Sequence, residues 1–220
     1  MNHRDYKEFA PDNYYHIYNR GNGRQNIFCD GQDYFNFLKR LNIVLGKETR
    51  APLVREVRSQ GAPLSLRLNP LPKEAFSLLA YCLMPNHFHF LIRQNSEVSV
   101  SKLISKISTS YSMYFNRKYN HVGHVFQDRF KAVVVDSDSY LSWLSAYIHQ
   151  NPKVAGEVKD LKDYAWSSYR DYLGIRNGVL CDKKIILEKF ENNTKDYRNF
   201  VDDSYDLIKE KKSSEEIFLD

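Results

Sequence analysis

The sequence predicts an α+β sandwich, an antiparallel sheet with helices packed on it, and three observations lead there. Strand-like and helix-like periodicities follow one another in the order β-α-β-β-α-β-α. The run Met84-Pro85-Asn86-His87-Phe88-His89-Phe90-Leu91-Ile92 alternates its side chains between two faces, as a half-buried strand does. The helical segments repeat their apolar residues at helical spacing, which gives each one a face to bury.

Each element can be justified in turn. Residues 14 to 20 read as a first strand, and Gly21-Asn22-Gly23 supplies a turn after it. Asp30 then starts a helix that runs to about Leu45, with Tyr34, Phe35, Leu38 and Leu41 as its expected buried positions. Residues 48 to 73 are rich in breakers and read as an irregular insertion with no assigned role. Strands follow at about 75 to 83 and 87 to 93, joined by the tight Pro85-Asn86 turn. A helix from about 97 to 119 is expected to bury Val100, Leu103, Ile104, Ile107, Tyr111 and Tyr114. A fourth strand near 131 to 136 feeds a helix capped by Ser137 or Ser139, in which Leu141, Leu144 and Ile148 repeat. Pro152 disfavours helical geometry at the residue before it, so that helix is expected to end near Asn151. This order is that of a ferredoxin-like or RRM-like sandwich. Residues 183 to 212 are helical in character and read as a helix pair, with a disordered end over the last eight or so residues.

Composition narrows the setting more than the activity. A formal charge of +5 allows a polyanionic partner without requiring one. Lys102, Lys106, Arg117, Lys118, Arg129 and Lys131 fall in one stretch, interleaved with Tyr111, Tyr114, Phe115, Tyr119, Phe126 and Phe130. Cations for a backbone and aromatics for bases suit single-stranded nucleic acid. Taken alone, the same stretch reads first as an amphipathic helix with a solvated charged face. Cys29, Cys82 and Cys181 are odd in number and far apart, so they make neither a disulfide framework nor a CxxC metal site. With no apolar leader and no run of membrane-spanning length, the expected location is cytoplasmic and the membrane is excluded as a partner.

Two segments carry chemistry. Strand alternation places His87 and His89 on one side, as two imidazoles available to a metal, while Phe88 and Phe90 face a core. On the last helix Tyr147 and Asn151 are four apart and share a face, which puts a phenol one turn from an amide oxygen. Carbonyl oxygens suit hard cations, and a helix C-terminus favours one electrostatically. Each residue also has an ordinary structural role open to it. Tyr140, Trp143 and Tyr147 form the kind of aromatic stripe that usually fills a core, and Asn151 suits a helix C-cap. His121 and His124 flank Gly123 in a polar turn suited to a phosphate or to the surface, and His16 reads as structural or near DNA.

Taken together these residues resemble the single-tyrosine (Y1) HUH transposases of the IS200-like class and their REP-associated relatives. The resemblance rests on Ala80-Tyr81-Cys82-Leu83-Met84-Pro85-Asn86 leading into His87-Phe88-His89, and on Tyr147-Ile148 with Asn151-Pro152. Tyr15-His16-Ile17-Tyr18-Asn19-Arg20-Gly21, Tyr114-Phe115-Asn116-Arg117-Lys118 and Gly123-His124-Val125-Phe126-Gln127-Asp128-Arg129-Phe130-Lys131 fit as well, in the expected order. It covers about residues 14 to 156, and it implies a catalytic domain over 1 to 156 with a C-terminal helical extension over 157 to 220. Tyr164-Ala165-Trp166-Ser167-Ser168-Tyr169 is similar to a segment that follows the core in longer members, and is expected to pack back on the body.

The resemblance implies a metal-dependent endonuclease and strand transferase acting on single-stranded DNA with a hairpin or repeat element. Tyr147 would be the nucleophile, leaving a 5′-phosphotyrosine and a free 3′-hydroxyl. His87, His89 and Asn151 would hold Mg²⁺ or Mn²⁺, although an H-x-H pair alone also accepts Zn²⁺. Arg20, Lys102, Lys106, Arg117, Lys118, Arg129 and Lys131 are the candidate DNA contacts. The family commonly shows Glu-Leu-Asn-Pro after the Tyr-Ile pair, whereas this chain has His149-Gln150-Asn151-Pro152. That departure, the insertion and the tail bear on oligomeric state, monomer or homodimer, rather than on the site. The minimal enzymes exchange tyrosine helices between two subunits, and REP-associated relatives can act as monomers; the extended chain points towards the latter. Two readings from other classes stand beside this one: a domesticated RRM-like module that binds nucleic acid without cutting it, and a metal hydrolase that uses water.

Overall fold

The computed structural model describes residues 8–47 and 68–213, the side chain of Ser213 excepted. Seven elements form the body: β1 (Tyr14–Arg20), α1 (Gly31–Val44), β2 (Phe76–Met84), β3 (His87–Gln94), α2 (Val100–Tyr119), β4 (Lys131–Val135) and α3 (Asp138–Val154). The sheet is antiparallel in the order β2-β3-β1-β4, so the first strand lies inside it and β2 and β4 at its edges. This is the ferredoxin-like arrangement that the element order predicts. The part of the insertion between residues 48 and 67, and the end of the tail from 214, lie outside the described residues.

Alternation divides the sheet into two faces. Tyr15, Ile17, Tyr81, Leu83, Phe88, Phe90 and Ile92 pack under α1 and α2, against Phe37, Leu41, Ile107 and Tyr111. Tyr18, Cys82, Met84 and Leu91 face the other way, under α3 and the C-terminal segment. Along α1 Tyr34, Leu38 and Leu41 are buried as expected but Phe37 is buried in place of Phe35, and along α2 Phe115 is buried in place of Tyr114.

The helix starts follow the capping residues. Asp30 caps α1 through a reciprocal pair with Asp33, and Ser137 caps α3. The expected end of α3 near Asn151 is corrected: the helix runs through Pro152 to Val154, and its C-cap is Ala155, not Asn151. Proline removes one N–H and crowds the preceding turn, a loss that the last turn of a packed helix can absorb. Pro152 is itself buried.

Beyond α3 the chain returns to the body, as expected for residues 164 to 169. Ser167 bridges to Cys82, Leu83 N–H donates to the Trp166 carbonyl at 3.0 Å, and Ser168 N–H donates to the Tyr81 carbonyl at 3.0 Å. The β2 edge is thereby covered. The helices α4 (Tyr169–Tyr172), α5 (Lys184–Leu187), α6 (Thr194–Asp203) and α7 (Tyr205–Ser213) follow, and α6 and α7 both pack on α3. The expected helix pair is thus three helices, α5 being a single turn.

Candidate active site

The two histidines of β3 lie on the α3 side of the sheet. Their ring centroids are 4.9 Å apart and the rings are nearly perpendicular, at 86°. Strand register sets their neighbours: Arg20 stands opposite His87, Tyr18 opposite His89, and His16 opposite Leu91. On the β2 side Met84 pairs with His87 and Cys82 with His89. The Pro85-Asn86 turn puts an amide next to the first imidazole, with Asn86 Oδ1 at 2.6 Å from His87 Nδ1. That contact makes Nδ1 the protonated nitrogen and places the lone pair of His87 on Nε2. His89 meets a second imidazole, His16 Nε2 lying 3.0 Å from His89 Nδ1 with both residues fully buried, and a proton on His89 Nδ1 would place its lone pair on Nε2.

Tyr147 comes to this face from α3. Its ring meets His89 edge-on at 5.8 Å and His16 at 6.0 Å, and stacks on Trp143 at 5.5 Å. Tyr140 stacks in turn on Trp143, so the aromatic stripe is both a packed core and the support of the phenol. Tyr147 is 0 % exposed. One turn on, Asn151 Nδ2 donates to the Tyr147 carbonyl at 3.0 Å, which fixes the amide and turns Oδ1 outward from the helix backbone. Oδ1 accepts a hydrogen bond from the Lys212 ammonium at 3.0 Å, and Lys211 lies over the Trp143 ring at 5.1 Å. The helix α7 therefore lies across α3 beside the phenol.

These residues fit a divalent cation. Two imidazoles contacted at Nδ1 leave Nε2 for a metal when Nδ1 carries the proton, the pattern in which a second group fixes a ligand's tautomer. The Asn151 oxygen already accepts positive charge from an ammonium. Among the described residues no group of three or more His, Cys, Asp and Glu could hold a metal, so a site here depends on that amide as its third protein donor.

The residue pair that departs from the family pattern ties α3 to the C-terminal segment. His149 Nε2 lies 2.7 Å from Ser168 Oγ and its Nδ1 lies 2.7 Å from the Tyr197 hydroxyl, while Gln150 donates to the Val201 carbonyl at 2.6 Å. Burial, aided by the charge of Arg176, pushes the His149 imidazole down to about 3. It stays neutral with both nitrogens engaged, and it is a strut rather than a base for Tyr147.

The candidate DNA contacts divide between the two sides of the sheet. Arg20 shares the histidine face, Lys131 pairs with Tyr18 in register, and Arg129 is exposed in the loop that leads to β4. Lys102, Lys106, Arg117 and Lys118 are on α2, in the opposite layer. Lys106 donates to the Asn69 carbonyl at 3.2 Å. Lys118 is bound to Asp30 and Asp33, each at 2.7 Å.

Sequence reasoning undervalued His16 and gave no part to Lys212. His16 is visible in the sequence as a histidine on β1, but its role depends on which β3 residue stands beside it, and the Lys212 contact depends on how α7 packs.

Comparison with known proteins gives a family and a fold. The family model described as "Transposase IS200 like" matches residues 37–151, a span that holds His87, His89, Tyr147 and Asn151. No curated relative matches the sequence. Among solved structures, one described as "Structure of the REP associates tyrosine transposase bound to a REP hairpin" aligns with a TM-score of 0.55 at 14% identity. The alignment covers 77% of this chain and 85% of that one, a likeness of fold.

Proposed function

This chain belongs to the family of IS200-like transposases, and on that footing we propose that it cleaves and rejoins single-stranded DNA at hairpin-associated sites, with Tyr147 as nucleophile. The observation that carries the proposal is the placement of Tyr147 against His89, with Asn151 one turn along the same helix. That the solved neighbour is a transposase bound to a REP hairpin supports a hairpin or repeat element as the partner.

His87 Nε2, His89 Nε2 and Asn151 Oδ1 would hold the cation, and the mixed nitrogen and oxygen donors suit Mn²⁺ or Mg²⁺. A divalent ion bound there would polarise the scissile phosphate as a Lewis acid. The Tyr147 oxygen attacks phosphorus, the bond to the 3′-oxygen breaks, and the phenolic proton is lost as the leaving oxygen gains one. A phenol has a pKa of ~10, so a nearby positive charge is needed to bring forward its ionised form. The product is a 5′-phosphotyrosine and a 3′-hydroxyl. Because the phosphodiester is exchanged rather than hydrolysed, a 3′-hydroxyl can later displace the tyrosine and reseal the strand without ATP.

The ties of His149 and Gln150 to the chain's own C-terminal segment support a monomer whose tyrosine acts in cis, over subunits that exchange this helix. Three cysteines so far apart in the sequence, Cys29, Cys82 and Cys181, suit a reducing, cytoplasmic setting.

The complete burial of Tyr147 favours a second reading, a domesticated module that binds DNA without cutting it. Incubation with a library of labelled hairpin oligonucleotides and Mn²⁺, followed by a denaturing gel, separates the two. An SDS-resistant protein–DNA band that is absent in Tyr147→Phe is the expected result. Binding with no such band across the library, or cleavage that persists in Tyr147→Phe, would refute the proposal.

A further inference from the structure

A cavity of about 390 Å³ opens beside His87, at the end of β1 and β3. The geometry points to this cavity as the seat of a single unpaired nucleoside, the one on the 5′ side of the scissile phosphate that carries the leaving 3′-oxygen. The inference rests on the reading of Tyr147 as nucleophile.

Order along the sheet is the first argument. From His16 and Leu91, through Tyr18 and His89, to Arg20 and His87, the register advances by two residues at each step, about 6.6 Å. Tyr147 sits over the first and second steps, and the cavity lies at the third, lined by His87, Met84 and Arg20. The helix α3 gives the same order independently. Tyr147, Asn151 and Ala155 are spaced four residues apart, about 6 Å at each step along one face, and Ala155 lines the cavity. The phenol, the proposed cation ligands and the cavity thus follow one another in a row.

In-line displacement then decides what the cavity receives. The entering and leaving oxygens lie on opposite sides of phosphorus. With the Tyr147 oxygen on one side of the proposed metal site, the departing 3′-oxygen and its sugar lie on the side of the cavity. The 3′-side strand, which stays on the tyrosine, lies elsewhere.

The lining has the chemistry of a nucleotide. Pro85 gives apolar surface for a base plane, Met84, only 1% exposed, closes the wall behind it, and the amides of Asn26 and Asn86 give donors and acceptors for the base edge. Arg20, Arg24 and Lys212 supply cations for the backbone and outnumber the one carboxylate in the lining, Glu157. The volume is at the low end of small-ligand pockets, about 300–1,000 Å³, which suits one nucleoside rather than a run of stacked bases. Arg24 is held with φ at +63° in the turn after β1, a left-handed conformation uncommon for a side chain of this size. Held in this seat, the 3′-hydroxyl stays beside the phosphotyrosine and is available to reseal the strand.

The chain has three methionines, Met1, Met84 and Met113, and Met113 is 72% exposed on the opposite layer. Methyl-¹³C-methionine NMR of the full chain therefore reads the cavity with an internal control. Each of the four deoxynucleoside 5′-monophosphates, which carry free 3′-hydroxyls, is titrated into the millimolar range. At least one should move the Met84 methyl signal saturably and leave Met113 in place. Asn26→Ala and Arg24→Ala, both at exposed positions, should each weaken that binding, Arg24→Ala by about tenfold. On a hairpin that forms the tyrosine adduct, an abasic residue just 5′ of the cut should slow adduct formation about tenfold, and one just 3′ of it less than about threefold. A Met84 signal that no nucleotide moves, or a loss that follows the 3′ side, would overturn the assignment. A saturable Met84 shift with no adduct on any hairpin would support the cavity as a nucleotide seat and count against Tyr147 alone.

Discussion

The Lys212 ammonium donates to Asn151 Oδ1 at 3.0 Å, so α7 places a positive charge on the oxygen that is proposed to hold a divalent cation. Two cations cannot share that oxygen without mutual repulsion, and in this conformation Tyr147 is fully buried. Metal loading and withdrawal of Lys212 should therefore be coupled. Lys212→Ala is expected to lower the Mn²⁺ concentration that half-saturates adduct formation by a few-fold. A Mn²⁺ titration of the two proteins checks it, and an unchanged or raised midpoint would show that the ammonium does not compete.

His16 is a positioning residue in this account, since it acts on the site through His89. Removing a group that orients a metal ligand typically costs about 10–100-fold in affinity. His16→Ala should raise the Mn²⁺ midpoint by that order. His16→Gln, whose amide oxygen can accept from His89 Nδ1, should recover part of the loss. Thermal melts of both variants without metal separate this effect from simple unfolding, and equal midpoints in Ala and Gln variants would speak against the orienting role.

Lys118 should matter for stability and not for DNA. It bridges Asp30 to Asp33, and the Asp33 carboxylate is fully buried with further hydrogen bonds from Tyr114 and Tyr119. Lys118→Ala is expected to cost about 1–3 kcal/mol in denaturant unfolding, as a buried acceptor loses a charged donor. Hairpin affinity should change less than about twofold. A large loss of affinity in a stably folded variant would return Lys118 to the DNA-binding surface.

The same carboxylate predicts a pH dependence. Burial acts to raise Asp33, but the hydrogen bonds from Lys118, Tyr119, the Cys29 N–H and Tyr114 outweigh it and hold the group below its ordinary 3.8. A carboxylate lowered in the folded chain contributes its full stabilisation above the unfolded value and loses it as pH falls through the folded one. The stability advantage of the native chain over Asp33→Asn should thus be constant near neutrality and shrink below about pH 4. Parallel stability curves for the two proteins down to the acid limit would contradict this.

Much of the fold and part of the site are legible in the sequence, because they rest on local periodicity. Alternation puts His87 and His89 on one face with no knowledge of the partner strands. Helical spacing does the same for Tyr147 and Asn151. What is not local is not legible. His16 reaches His89 only because β1 pairs with β3 in one particular register, across more than seventy residues of chain. The basic and aromatic residues of α2 and of the loop before β4 look like one group in the sequence, but the sheet places Lys102, Lys106, Arg117 and Lys118 in one layer while Lys131 lies on the histidine face. Pro152 reads as a stop, yet packing carries α3 past it. The contact of Lys212 comes from α7, whose docking no local pattern encodes.

The central claim is that Tyr147 itself becomes joined to DNA, and peptide mass spectrometry of the covalent product tests it most directly. Adduct formed on a hairpin oligonucleotide with Mn²⁺ would be digested with nuclease and protease, and the remaining nucleotide located on its peptide. The account predicts a 5′-linked nucleotide on Tyr147 and no modified peptide from Tyr147→Phe. A nucleotide on Tyr140, Tyr111 or Tyr114, or cut DNA with no modified tyrosine, would contradict it.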